Sequence, residues 1–207
     1  MKRIKEEKPL SYSNSSFDVI ILAGGESKRF GEDKCDHEFN GITFLQRVSK
    51  EFSNPIIITN KLRANLNGRQ IIDHVRKGPV RGLEIGIQYV KSAKVFVTGC
   101  DFPFVTRNLA EFLCGKTEFD ISIVLVNKPQ PLLACYSTSF LLQNLSKCKK
   151  MMDLLSLSKK TYLVGIRELE VNKINLLAVK NVNTWLDLNF SIRDIRASES
   201  KLVFSSF

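Results

Sequence analysis

Gly24, Gly25, Lys28, Arg29 and Lys34 fall within eleven residues of one another, directly behind a short apolar run, Val19 to Leu22. Adjacent glycines let the main chain take left-handed conformations and come close to a ligand. Backbone N–H groups in such a loop bind phosphate oxygens, and the cations that follow neutralise their charge. The spacing does not fit a Walker loop, which needs Gly-Lys-Ser/Thr after its first glycine. Nor does it fit the dinucleotide fingerprint G-x-G-x-x-G. The alternative is a glycine turn with solvated charges behind it. Asp101 is the candidate metal ligand. It lies just past the apolar run Lys94 to Thr98 and is followed by Phe102-Pro103, which fixes the turn. Mg²⁺ takes only one or two protein carboxylates when phosphates and waters complete its shell. Otherwise Asp101 is a loop residue capping the helix near Arg107. Asp73 could accept from a ribose hydroxyl or simply close a turn. Asn60 could read a base edge or the sugar, with Thr59 as the alternative.

These residues need a scaffold that ends several strands at one edge. The apolar runs at Val19–Leu22, Pro55–Thr59, Gln70–Asp73, Lys94–Thr98 and Asp120–Val126 read as strands. Helical spacing appears over Ile42–Phe52, Leu83–Val90 and Asn108–Cys114, with Gly78–Gly82 read as a turn. This alternation predicts a single α/β domain, a mostly parallel twisted sheet with helices on both faces. Ligands of such sheets sit beyond the carboxyl ends of the strands, where Gly24, Asn60, Asp73 and Asp101 all fall. Further on, Lys128-Pro-Gln-Pro leads into Leu132–Tyr136. Phe140–Leu145 and Met151–Leu157 read as helices and Thr161–Ile166 and Ile174–Val179 as strands. Thr184 reads as the cap of a short helix, Trp185 to Leu188.

Composition narrows the classes. The chain has 207 residues, 43% of them hydrophobic, and a net charge of +10. No apolar run approaches the roughly 18 residues of a membrane span, so no membrane partner is expected. The cations are dispersed, without a basic helix, an aromatic series or a zinc knuckle, which argues against nucleic acid. A positive cleft would also suit a nucleotide and a phosphorylated second substrate. Residues 1–16 read as a flexible basic tail rather than a secretory signal. Residues 17–190 read as the domain and 191–207 as a C-terminal extension. Five cysteines without C-x-x-C fit a reducing cytoplasm better than a disulfide framework.

Leu22-Ala-Gly-Gly-Glu-Ser-Lys-Arg-Phe-Gly-Glu-Asp-Lys34 resembles L-A-G-G-x-S-x-R-M-G-x-D-K of the molybdenum cofactor guanylyltransferases, with Phe30 in place of Met. Gly78-Pro-Val-Arg-Gly-Leu83 is similar to that family's G-P-L-x-G-L, and Gly99-Cys-Asp-Phe-Pro103 to its G-C-D-x-P. Gln130-Pro-Leu-Leu-Ala-Cys-Tyr136 and Asn181-Val-Asn-Thr184 are similar to its acceptor-side segments, with Trp185 where relatives carry Pro. The resemblance implies a Rossmann-like nucleotidyltransferase fold and transfer of GMP from GTP to the terminal phosphate of molybdopterin cofactor. It implies catalytic roles for Arg29, Lys34 and Asp101, with Asp101 holding Mg²⁺. It places GTP against Leu22, Ala23, Gly24, Gly25, Lys34, Asn60, Asp73, Gly82 and Asp101, and the acceptor against Gln130, Asn181 and Asn183. Molybdoenzymes or cofactor-insertion proteins would be further partners. Sister families often carry Asp at the position of Asn183. The competing readings are the cytidylyl version, a sugar phosphate or cobinamide phosphate acceptor, and a carrier that binds without turnover.

Overall fold

The computed structural model describes residues 17–24, 33–183 and 187. Its strands are β1 (Asp18–Ala23), β2 (Glu38–Phe39), β3 (Ile42–Thr43), β4 (Ile56–Thr59), β5 (Arg69–Ile72), β6 (Lys94–Gly99), β7 (Ile121–Leu125), β8 (Pro129–Ser137) and β9 (Thr161–Val164). Its helices are α1 (Phe44–Lys50), α2 (Pro79–Gly86), α3 (Arg107–Cys114), α4 (Thr138–Asn144), α5 (Asp153–Leu157) and α6 (Ile166–Val171). Seven strands form one sheet in the order β5-β4-β1-β6-β8-β7-β9, and β2 and β3 form a small separate hairpin. β5, β4, β1 and β6 run parallel, as do β7 and β9. β8 alone is antiparallel to its neighbours β6 and β7.

Each strand's side chains alternate between the two faces. Val19 and Ile21 of β1 join one core with Leu45, Val48, Leu109, Leu113 and Leu169, from α1, α3 and α6. Ile20 joins the other with Leu83, Phe140, Leu141 and Leu154, from α2, α4 and α5. β4 and β6 are buried along their whole length and β1 over most of its own, as expected for parallel strands covered on both faces. The chain winds from β1 outward to β4 and β5, then returns to place β6 on the other side of β1. The strand order therefore reverses between β1 and β6, and a crevice opens past their carboxyl ends at such a point.

Two expectations change. The Gly78–Gly82 turn is in fact the start of α2. Gly78 has φ +86°, and Pro79 occupies the first helical position, where a missing N–H costs nothing. Ile174–Val179 is not a strand but a 3-10 turn over Leu176–Val179, with the Asn175 side chain accepting from Leu177 N. A short apolar run buries equally well as strand or turn, and here it packs Leu176, Ala178 and Val179 into the first core. The helix expected over Trp185–Leu188, the tail and the C-terminal extension lie outside the described residues.

Candidate active site

A cavity of about 240 Å³ lies past the ends of β1 and β6. Leu22 and Gly24 line it from β1, Ile58 from β4 and Asp73 from the end of β5. Gly78, Pro79 and Gly82 come from the start of α2, and Cys100 and Asp101 from the end of β6. Lys34, Cys35, Arg76 and Leu132 complete it. A larger hollow of about 500 Å³ between α2 and α4 is lined by Arg81, Glu84, Tyr89 and Leu142 among others. It carries none of the groups at the strand ends, so the smaller cavity is the candidate site.

Lys34 opens a 3-10 turn, Lys34–Asp36, capped by the Asp33 side chain. The Lys34 ammonium donates to Asp101 Oδ1 at 3.0 Å, to the Val182 carbonyl at 2.7 Å and to Asn183 Oδ1 at 3.1 Å. The lysine side chain is 10% exposed and the Asp101 side chain 37%. Residues far apart in sequence thus share one charge cluster. Residues 181–183 reach it because Val182 N donates to the Asp101 carbonyl at 2.8 Å and Val182 packs on Phe44. Asn183 N also donates to Asp187 Oδ2. Asn181 Oδ1 is buried with no hydrogen-bond partner among the described residues.

The other expected residues divide. At Gly24 a Cβ would meet, among the described residues, only Asn60 N at 4.0 Å, an ordinary van der Waals contact. Gly82 lies tightly under β1, where a Cβ would sit 3.1 Å from Leu22 Cδ2. Ala23 is buried in the first core at the end of β1. Asp73 is buried, and its Oδ1 accepts from Val75 N and Arg76 N in a tight turn while the residue lines the cavity. Neither Thr59 nor Asn60 lines the cavity. The Thr59 hydroxyl donates to the Lys61 carbonyl and accepts from Arg63, and Asn60 Oδ1 is buried without a partner among the described residues. Gln130 lies on β8 two residues before Leu132, on the same strand face, but outside the cavity wall. Gly25 and Arg29 lie outside the described residues.

Arg63 was not singled out from the sequence. Its side chain is 8% exposed and donates to Asp33 Oδ2 and Asp36 Oδ1, each at 2.5 Å. Burial alone would raise the Asp36 pKa, but hydrogen bonds from Lys61 and Arg63, with their charges, hold it below the ordinary carboxylate range. Arg63 therefore clamps the turn that carries Lys34 onto the end of β4. An arginine in a polar stretch after a strand reads as solvated. Only the pair of acids flanking Lys34 hints that it has a partner.

The cysteines correct the sequence reading. Cys35 is joined to Cys100 and Cys114 to Cys135, leaving Cys148 as the free thiol. The bridges span 65 and 21 residues, so no local spacing announces them. The fold brings the paired Cα atoms to 5.4 and 5.2 Å, within the reach of a disulfide. The argument for a reducing compartment from unpaired thiols falls with it. No described helix is long and apolar enough to cross a membrane.

A mostly parallel sheet whose first strand runs into Gly24, with a lysine meeting a carboxylate at the strand-order reversal, accompanies a family match that makes this chain a nucleotidyltransferase. The chain belongs to the family of the MobA-like NTP transferase domain, which matches residues 19–162. A relative from Aquifex aeolicus, named "Probable molybdenum cofactor guanylyltransferase", is 29% identical over 177 residues, 81% of this chain and 86% of its own. One of the same name from Bacillus cereus is 29% identical over 137 residues, 59% of this chain and 68% of its own. The solved molybdopterin-guanine dinucleotide biosynthesis protein A of Archaeoglobus fulgidus superposes with a TM-score of 0.69 at 21% identity, covering 90% of this chain and 99% of that one. That likeness establishes the fold.

Proposed function

We infer that this nucleotidyltransferase moves GMP from GTP to the terminal phosphate of molybdopterin cofactor and releases pyrophosphate. The observation that carries the reading is the Lys34–Asp101 contact at the mouth of the switch-point cavity. The names of the relatives supply the choice of substrates.

The Asp101 carboxylate, the Val182 carbonyl and the Asn183 amide oxygen converge on the Lys34 ammonium. Three oxygen donors around one cationic point are the donor chemistry of a hard divalent ion, and Mg²⁺ fits it. No group of three or more His, Cys, Asp or Glu side chains is poised for a metal among the described residues, so phosphates and waters would supply most of the shell. Asp101 would hold the ion, with the Asn183 amide as a neutral neighbour. Bound there, Mg²⁺ supplies charge neutralisation on the triphosphate.

In this structure Lys34 serves as the counter-ion of Asp101. When a triphosphate enters, Lys34 exchanges the carboxylate for a phosphate oxygen and keeps its charge paired. The Gly24 end of β1 lets the main chain approach the phosphates, and the buried Asp73 carboxylate accepts from the ribose. The pterin phosphate attacks the α-phosphorus in line with the leaving pyrophosphate. That nucleophile is already anionic near neutral pH and needs no general base. Catalysis is then positioning and charge stabilisation.

The test is pyrophosphate release with Mg²⁺ and each of the four NTPs, with and without molybdopterin cofactor. Release with GTP alone, and only when the pterin is present, is the expected result. Release with CTP moves the protein to cytidylyl transfer, and GTP binding without release makes it a carrier.

A further inference from the structure

The residue after Lys34 and the residue before Asp101 are the two halves of a disulfide. Both cysteines line the cavity and both are buried. Cys35 Sγ lies 3.6 Å from the Ala23 carbonyl at the end of β1. The two segments so joined are weakly held by secondary structure. Lys34 sits on a single 3-10 turn, outside the main sheet. Asp101 sits in the turn after β6, held by Phe102 N to the Gly99 carbonyl, Val105 N to the Phe102 carbonyl and one bond from outside, Val182 N to the Asp101 carbonyl. Neither residue has a strand ladder to fix it, yet their charged groups meet at 3.0 Å.

We propose that the Cys35–Cys100 disulfide is a positioning cross-link for the reaction centre, holding Lys34 against Asp101, so that turnover follows its oxidation state. The cross-link acts on backbone one residue from each charged group, and small displacements of such groups cost large factors in rate. Opening it takes a dithiol. One thiolate attacks a bridge sulfur and forms a mixed disulfide. The second thiol then displaces the protein, which keeps two electrons and two protons as two thiols, and the dithiol leaves as a cyclic disulfide. Cys114–Cys135 joins α3 to β8, and neither of its cysteines lines the cavity. It is the matched control.

The inference rests on the nucleotidyltransferase reading of this cavity. The test compares wild type, Cys35→Ala and Cys114→Ala/Cys135→Ala, the last oxidised and after dithiothreitol, since only the cavity bridge can open in it. The oxidised control keeps wild-type kcat and Mg²⁺ half-saturation. Cys35→Ala and the reduced control lose kcat about tenfold or more, and need about tenfold more Mg²⁺. Amide exchange at Asp36 and Phe102 speeds up in both, and reoxidation of the reduced control restores all three readouts. Unchanged kcat and Mg²⁺ dependence overturn the proposal, whatever the exchange shows. Should Cys35→Ala fail to fold, the reduced control carries the comparison alone. Should oxidised wild type release no pyrophosphate with any NTP, the functional reading fails by itself. Exchange then decides the bridge: faster exchange on opening supports positioning, and unchanged exchange overturns it.

Discussion

Asp101 and Lys34 each hold a role because of the other. Beside their paired charges lie two neutral oxygens, the Val182 carbonyl and the Asn183 amide. Asp101→Asn keeps the shape and removes the carboxylate. Pyrophosphate release should fall at least about a hundredfold, the scale of losing one key electrostatic group. Near-normal turnover would overturn the proposal that Asp101 holds the metal ion. Arg63 acts one layer further out. Arg63→Met leaves the Asp33 and Asp36 carboxylates without their clamp, and thermal unfolding should report a loss of about 1–3 kcal/mol. The variant also changes the pH dependence. The folded Asp36 pKa lies below its ordinary 3.8, so its stabilisation is complete above that value and is lost as pH falls through the folded pKa. Acid unfolding curves of wild type should therefore steepen below about pH 4, and Arg63→Met should flatten that limb.

At the scale of elements, backbone geometry decides how close β4, β5 and α2 come. Gly68 precedes β5 at φ +113°, and a Cβ there would lie 2.3 Å from the Pro55 carbonyl oxygen. Backbone cannot yield as a side-chain tip can. Gly68→Ala should destabilise by at least about 1–3 kcal/mol, read as a lowered urea midpoint. Gly86 makes the contrast, since its Cβ would meet the Ile20 side chain, at 2.9 Å to Cδ1, 3.1 Å to Cγ2 and 3.3 Å to Cγ1, where a shift of a few tenths of an ångström in side-chain atoms relieves the contact without moving backbone. Gly86→Ala should cost clearly less than Gly68→Ala in the same titration. Both outcomes bear on the site, because β5 ends at Asp73 and α2 brings Gly78 and Gly82 to the cavity.

For the molecule as a whole, the two disulfides act differently. Cys114–Cys135 ties α3 to β8, the antiparallel strand between β6 and β7. Removing it as Cys114→Ala/Cys135→Ala should lower stability by about 2–4 kcal/mol, the usual effect of freeing the unfolded chain, measured by thermal melting of the oxidised proteins. The same sheet has cores on both faces, so the loss should appear as one cooperative transition with a lower midpoint.

The strand runs and the residues that follow the parallel strands were legible in the chain because they are local. Burial periodicity and turn chemistry act within a few residues, and they suffice to put Gly24, Asp73 and Asp101 at one sheet edge. The Lys34 and Asp101 motifs could be matched as segments, but their 3.0 Å contact joins residues 67 apart. Only the tertiary structure decided that contact, along with the Arg63 clamp, the reach of residues 181–183 into the site and the pairing of four cysteines. It also turned the Ile174–Val179 run from an expected strand into a buried 3-10 turn, because an apolar segment buries equally well in either form and its neighbours choose. Local pattern carries what a residue tends to do. Which distant groups it meets depends on the order in which strands pack, and here the reversal between β1 and β6 brings the lysine and the carboxylate together.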